Sequence, residues 1–253
     1  MESTPTVITG SSGVGHEVDG GGEGASVLLF PIPEAQGHMN PMLQFGRRLA
    51  YHGMRPTLVA TRYVLSVNPP PGDPFRVAAI SDGFDAGGLK SCPDMGEYIS
   101  QLEAVGSETL GELIVSEACA GRPVRVLVYD PHMPWALRVA REAGVPAAAF
   151  FSQPCSVNIV YGELWAGRLA LPATDGRELV ARGALGVELG FEDMPPFAAV
   201  PELMPEFLKT STGQFNGLDD ADHVLVNSFL DIEPKVSYIL QWLFKRLSFS
   251  SIF

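Results

Sequence analysis

The chain has 253 residues, 46% of them apolar, and a formal net charge of −12. That length can bury a substantial core, and the acidity excludes a nucleic-acid partner because nothing would offset phosphate repulsion. Three widely spaced cysteines, Cys92, Cys119 and Cys155, form no metal or disulfide pattern and read as free thiols of a cytoplasmic protein, while no apolar run is long enough for a membrane span.

Residues 1–25 are rich in Gly, Ser, Thr and acid and lack the apolar stretch of a signal peptide, so a disordered leader is expected there. Within it TGSSGVGH, residues 9–16, lacks the spacing and the flanking strand and helix of a phosphate loop. Residues 27–31 are an apolar run of strand length. A loop carrying Gly37 and His38 follows, and Asn40-Pro41 predicts a helix start, with Asn40 as N-cap and Pro41 at the first helical position. Met42, Phe45, Gly46, Leu49 and Ala50 then share one face, and Gly53 closes the helix.

Residues 56–60 (PTLVA) and 75–80 (FRVAAI) predict a second and third strand. Helical spacing runs over 95–119, and 125–129 (RVLVY) reads as a buried strand ending in Asp130. A short helix over 135–143 stops at Gly144, residues 146–151 (PAAAFF) form the next strand, and 154–170 read as a helix. From 171 to 219 the pattern loosens into loop with one or two short helices, one of them around 202–210, before a last strand at 223–226. Strands alternating with helices predict an α/β fold, a doubly wound and mainly parallel sheet with helices on both faces.

In such a sheet ligands bind outside the carboxyl ends of the strands. His38 and Asp130 both follow strands, so their side chains can meet at one sheet edge. A carboxylate on one imidazole nitrogen fixes the tautomer and stabilises the imidazolium formed when the ring takes a proton. Two solvated loop residues remain the plainer reading of the same pair. His132 reads as a loop residue, and His16, His52 and His223 carry no chemistry. Phe84, Phe151, Trp165 and Phe197 are candidates to line a ligand pocket, with core packing the simpler role for each. No metal-ligand spacing occurs, so no metal site is expected.

Four segments carry a resemblance: FPIPEAQGHMNPMLQFGRRLAYHG, AISDGFDAGG (79–88), LVYDPHMPWALRVAREAGVPAAAFFSQPCSVNIVY (127–161) and QFNGLDDADHVLVNSFLDIEP (214–234). In order and spacing the chain resembles the opening half of plant UDP-dependent glycosyltransferases of the GT-B type over roughly 26–240, nearest the branch that glucosylates small carboxylates and phenols. The resemblance implies a Rossmann-like acceptor-binding domain, UDP-glucose as co-substrate and no further cofactor. It puts the family's catalytic base on His38 and its activating aspartate on Asp130. The donor-sugar contact falls on Ser152, where the family usually has Thr, with Gln153 beside it. Gly37 would let backbone and substrate approach closely.

The family's second domain, with its His-Cys-Gly-Trp-Asn-Ser motif, has no counterpart in these 253 residues, and residues 241–253 diverge into a basic, apolar tail. The expectation is therefore a glucosyltransferase half that takes a small-molecule acceptor and binds UDP-sugar weakly or not at all. The alternative is a non-catalytic acceptor-binding or regulatory half-protein. An unrelated hydrolase or reductase is disfavoured by the lack of a Gly-x-Ser-x-Gly elbow or dinucleotide fingerprint after a strand.

Overall fold

The computed structural model describes residues 24–228, Glu233 and residues 249–251. The expected leader, apart from Gly24 and Ala25, lies outside the described residues, and so does the expected tail apart from 249–251. The chain runs β1 (Ser26–Phe30), α1 (Gln36–Tyr51), β2 (Arg55–Thr61), α2 (Arg62–Val67), β3 (Arg76–Ile80), α3 (Met95–Cys119), β4 (Val124–Tyr129), α4 (Trp135–Glu142) and β5 (Ala147–Phe151). It continues through α5 (Cys155–Trp165), α6 (Arg177–Ala181), α7 (Pro196–Ala199), α8 (Pro205–Gly213), β6 (His223–Val226) and β7 (Phe249–Ser251). The strands lie in the order β3-β2-β1-β4-β5-β6-β7, and every adjacent pair is parallel. This is the doubly wound α/β sheet that the alternation predicts. The chain winds outward from β1 to β3 and then returns to lay β4 against the other side of β1. The strand order therefore reverses between β1 and β4, which opens a crevice at their carboxyl ends.

Period-two alternation divides the strands between two cores. Leu28 and Phe30 of β1, Leu127 and Tyr129 of β4 and Ala149 and Phe151 of β5 face the larger core, with Leu102, Leu110 and Ile114 of α3 and Ala136 and Val139 of α4. Val27, Leu29, Val128, Ala148 and Phe150 face the smaller one, closed by Met42 of α1 and by Phe75. Gly46 lets α1 approach the sheet: a Cβ there would stand 2.5 Å from both Leu29 and Phe75 side-chain carbons. No helix among the described residues is long and apolar enough to cross a membrane.

The structure departs from the sequence reading in five places. Helix α1 begins at Gln36, not at Asn40-Pro41: the His38 and Met39 amides donate to Ala35 O at 3.0 Å, and Pro41 lies inside the helix. A proline is tolerated there because only the Gly37 carbonyl, one turn earlier in an exposed part of the helix, loses its partner. Helix α2 was not expected. Its signal is Thr61, whose hydroxyl caps the Val64 amide at 3.4 Å. Helix α5 stops at Trp165, well short of 170, and α8 starts at Pro205, a first-turn proline that sets the boundary. Residues 249–251, within the expected tail, form a seventh strand on β6.

Candidate functional site

The site lies where the strand order reverses. Phe30 and Tyr129, the last residues of β1 and β4, are register partners, and the Asp130 amide continues the ladder by donating to Phe30 O at 2.9 Å. Asp130 is thereby fixed at the carboxyl edge. Its own carbonyl accepts from the Met133 amide at 2.9 Å, which turns the chain sharply toward α4. His38 approaches from the other side of the crevice, as the third residue of α1 rather than a loop residue.

His38 Nδ1 lies 2.6 Å from Asp130 Oδ2, and Asp130 is fully buried. The other carboxylate oxygen, Oδ1, accepts from the His132 amide at 3.1 Å and from His132 Nδ1 at 2.9 Å. An ionised carboxylate has no proton to give, so both imidazoles carry hydrogen on Nδ1, and the neutral form of each ring has its lone pair on Nε2. Ser152 Oγ, just past β5, stands 2.9 Å from His38 Nδ1 and shares that hydrogen. The two rings meet edge to face, with centroids 5.0 Å apart.

Burial alone would raise the Asp130 pKa, but the hydrogen bonds from His132 and His38 and their charge hold it well below the usual carboxylate range. For His38, burial pulls downward, and the hydrogen bond and charge of Asp130 outweigh it, leaving the imidazole above its ordinary 6.5. The positive end of the α1 dipole works against a charged ring in the first turn. The result is an oriented imidazole, 17% exposed, whose Nε2 has no hydrogen-bond partner among the described residues, beside a buried anion. It can accept a proton and hold the resulting charge. The ligating atoms of His38, Asp130 and His132 all lie within 4.8 Å, but 2.6 and 2.9 Å are N–H···O distances that leave no room for an ion between them. The cluster is a hydrogen-bonded one.

Of the other residues singled out, Gln153 follows Ser152, and its side-chain Oε1 is buried with no hydrogen-bond partner among the described residues. Gly37 is exposed, and a Cβ there would meet nothing within 4 Å, so protein packing does not require a glycine. Phe151 is sealed against Phe215, Phe197 stacks on Phe207, and Phe84 packs near Tyr98. Trp165 is half exposed, beside an open apolar groove of about 520 Å³ that includes Leu164, Leu171 and Leu208 but none of the residues around Asp130.

Of two residues that hold the site together, sequence reasoning set His132 aside and did not weigh Glu233. His132 reads as a loop residue because nothing in the periodicity reveals that it folds back onto the carboxylate two positions earlier. Glu233 braces the corner that carries Ser152: its carboxylate accepts from the Cys155 and Ser156 amides at 3.2 and 3.3 Å and from the Ser228 hydroxyl. It thus caps α5, a helix whose own N-cap, Pro154, offers no side-chain bond. Asn227, past the end of β6, adds a bond from its side chain to Ser152 O at 3.4 Å.

No protein-family model matches the chain. It is 73% identical over 246 residues to a barley protein, UDP-glucosyltransferase UGT13248, covering 96% of this chain and 51% of the relative. Rice UDP-glycosyltransferase 79 is 69% identical over 84% of this chain and 46% of its own length, and the maize indole-3-acetate β-glucosyltransferase 38% over 83% and 46%. The crystal structure of rice Os79 with UDP superposes with a TM-score of 0.81 at 67% identity, over 87% of this chain and 49% of that one. The same protein has been solved with a trichothecene, at 67% identity and a TM-score of 0.81. The chain spans about half the length of the curated relatives it matches.

Proposed function

The chain matches the N-terminal half of plant UDP-glycosyltransferases, and from that premise we propose that it is the acceptor-binding half of an inverting, UDP-glucose-dependent glucosyltransferase, with His38 as general base and Asp130 as its partner. The observation that carries the reading is the 2.6 Å contact between His38 Nδ1 and a fully buried carboxylate at the switch point of the sheet. It leaves Nε2 as the one basic atom of that ring. An acceptor hydroxyl or carboxylic acid gives its proton to Nε2. The oxygen then attacks the anomeric carbon of the sugar from the face opposite the diphosphate, and UDP departs with inversion. Asp130 stabilises the imidazolium while the new bond forms and does not itself take the proton.

Ser152 and Gln153 are proposed to meet the donor sugar, and a buried, unpartnered Gln153 Oε1 is an acceptor suited to a sugar hydroxyl. Gly37, with open space where a side chain would be, leaves room for substrate against the first turn of α1. For the acceptor we propose a small, largely apolar molecule with one reactive hydroxyl or carboxyl. The rice relative solved with a trichothecene is far more similar to this chain than the maize indole-3-acetate enzyme is, so the alcohol is the first acceptor to test and the small acids and phenols the second.

The chain spans about half the length of these relatives, and binding of UDP-glucose by these 253 residues alone is expected to be weak. Joined to the C-terminal half of the rice relative, the chain should transfer glucose from UDP-glucose to a trichothecene alcohol, and His38→Ala in that fusion should reduce transfer to background. Chromatographic detection of the glucoside decides it. A His38→Ala fusion of full activity would remove His38 from the mechanism, and a folded wild-type fusion inert toward alcohols, acids and phenols alike would favour a chain that only binds acceptor.

A further inference from the structure

We propose that His132 is a positioning residue for the base: it holds the second oxygen of Asp130, so that one buried carboxylate serves two imidazoles and its pull on the His38 proton is moderated. The inference rests on the proposed role of His38 and goes beyond it by giving the second ring a function.

The geometry supplies two reasons. Asp130 has no freedom left, because Oδ2 is held by His38 Nδ1 while Oδ1 is held by both the ring and the backbone amide of His132. Rotating the carboxylate to improve either bond would break the other, so the oxygen that orients His38 is fixed in place. The second reason is charge. The groups facing His38 are Asp130 and His132 from the β4–α4 turn and the Ser152 hydroxyl past β5, and Asp130 is the one acid among them. A single negative charge can neutralise a single imidazolium. With ring centroids 5.0 Å apart, a second positive ring would have no counter-charge of its own. The donor bond from His132 also draws electron density from the carboxylate and weakens its pull on the His38 proton. A base whose partner carboxylate were unshared would be protonated further into the neutral range and less available to take a proton from substrate. His132 is the more enclosed of the two rings, its side chain 8% exposed against 17% for His38, as suits the ring that holds the carboxylate rather than the one that meets substrate.

The test is a pH titration of the His38 ring by NMR in the 253-residue chain with isotope-labelled histidine, assigned by loss of its signals in His38→Gln. It needs no turnover, so its outcome is separate from that of the glucose-transfer assay. His132→Phe, which keeps a ring without a donor, should raise the His38 midpoint by about one pH unit, a roughly tenfold gain in proton affinity. His132→Asn, whose amide can still donate to Oδ1, should give less than half that shift. Dispersed backbone amide signals establish that each variant is folded, and His132→Ala stands in with the same expectation if the phenylalanine variant is not. An unchanged or lowered midpoint in the variant without a donor would overturn the proposal. So would equal shifts in the phenylalanine and asparagine variants, which would assign the effect to altered packing rather than to the shared carboxylate.

Discussion

Two corners of this molecule each bury a carboxylate completely and surround it with two basic side chains, yet they are built for different ends. At the end of α5, Glu163 accepts from Arg168 at 2.7 Å and from Arg182 at 3.0 Å. At the sheet crevice, Asp130 accepts from His38 and His132. Guanidinium groups are always charged, so the acid of the first corner is neutralised permanently and the fork geometry pins the chain. Imidazoles, unlike guanidinium groups, can gain and lose a proton in the physiological range, so the buried charge of that corner can be cancelled by a proton delivered to His38. A buried acid between arginines is scaffold, whereas a buried acid between histidines is poised to respond.

The comparison can be broken by experiment, and the largest effect is expected at the crevice. Asp130→Asn keeps the shape but offers His38 the wrong hydrogen-bonding partner. In the fusion with a C-terminal half it should lower transfer by about 10³- to 10⁴-fold with a much smaller change in KM. Steady-state kinetics with the glucoside as readout would show it, and a loss below tenfold would put Asp130 outside the proton-transfer machinery. At the other corner, Glu163→Ala should cost about 3 kcal/mol of unfolding free energy, the lower end for a broken buried ion pair because both arginines are more than one-third exposed and recover hydration. Denaturant midpoints measure this, and a cost under 1 kcal/mol would demote the pair to a surface contact.

The third effect is smaller and lies in the shape of the pH dependence. Glu117 is another acid held between two arginines: the bonds from Arg122 and Arg76 bring it from 4.5 to about 2. A lowered carboxylate pKa contributes stability above the unfolded value, and that contribution fades as pH falls from about 4.5 toward 2. It has no upper edge, since arginine does not titrate. At Asp130 the lowered carboxylate likewise loses its contribution in acid, but the raised His38 gives a second contribution, full below 6.5 and lost as pH climbs through the elevated value. The urea midpoint difference between wild type and Glu117→Gln should therefore be flat from about pH 5 upward and close only in acid. The difference for Asp130→Asn should shrink at both ends, and a flat profile above pH 5 for both variants would erase the distinction.

Most of the frame was legible because parallel strands buried on both faces are short apolar runs, and VLLF, RVLVY and AAAFF can be little else between helical segments. The meeting of His38 with Asp130 was legible for the same reason: two strand ends on one edge have to be neighbours if their strands are. What the sequence hid is local or remote in ways periodicity does not register. Asn40-Pro41 imitates a helix start, but Ala35 offers its carbonyl one turn earlier, and the helix absorbs the proline. His132 is hidden by the opposite circumstance, a bond across only two residues. Glu233 is hidden by distance, since no local pattern connects it to the amides that open α5.

That last bond bears on how the protein comes together. Glu233 reaches back 78 residues to Cys155, Asp130 reaches back 92 to His38, and Ser152 reaches back 114 to the same ring. Each link closes a long loop, so none can form cheaply before the strands between have paired. The crevice is therefore among the last parts of the sheet to mature and among the first to be dismantled if β4 or β5 loosens. A molecule bound there would report the integrity of the whole sheet, and its retention during unfolding would end with the global transition rather than trail it.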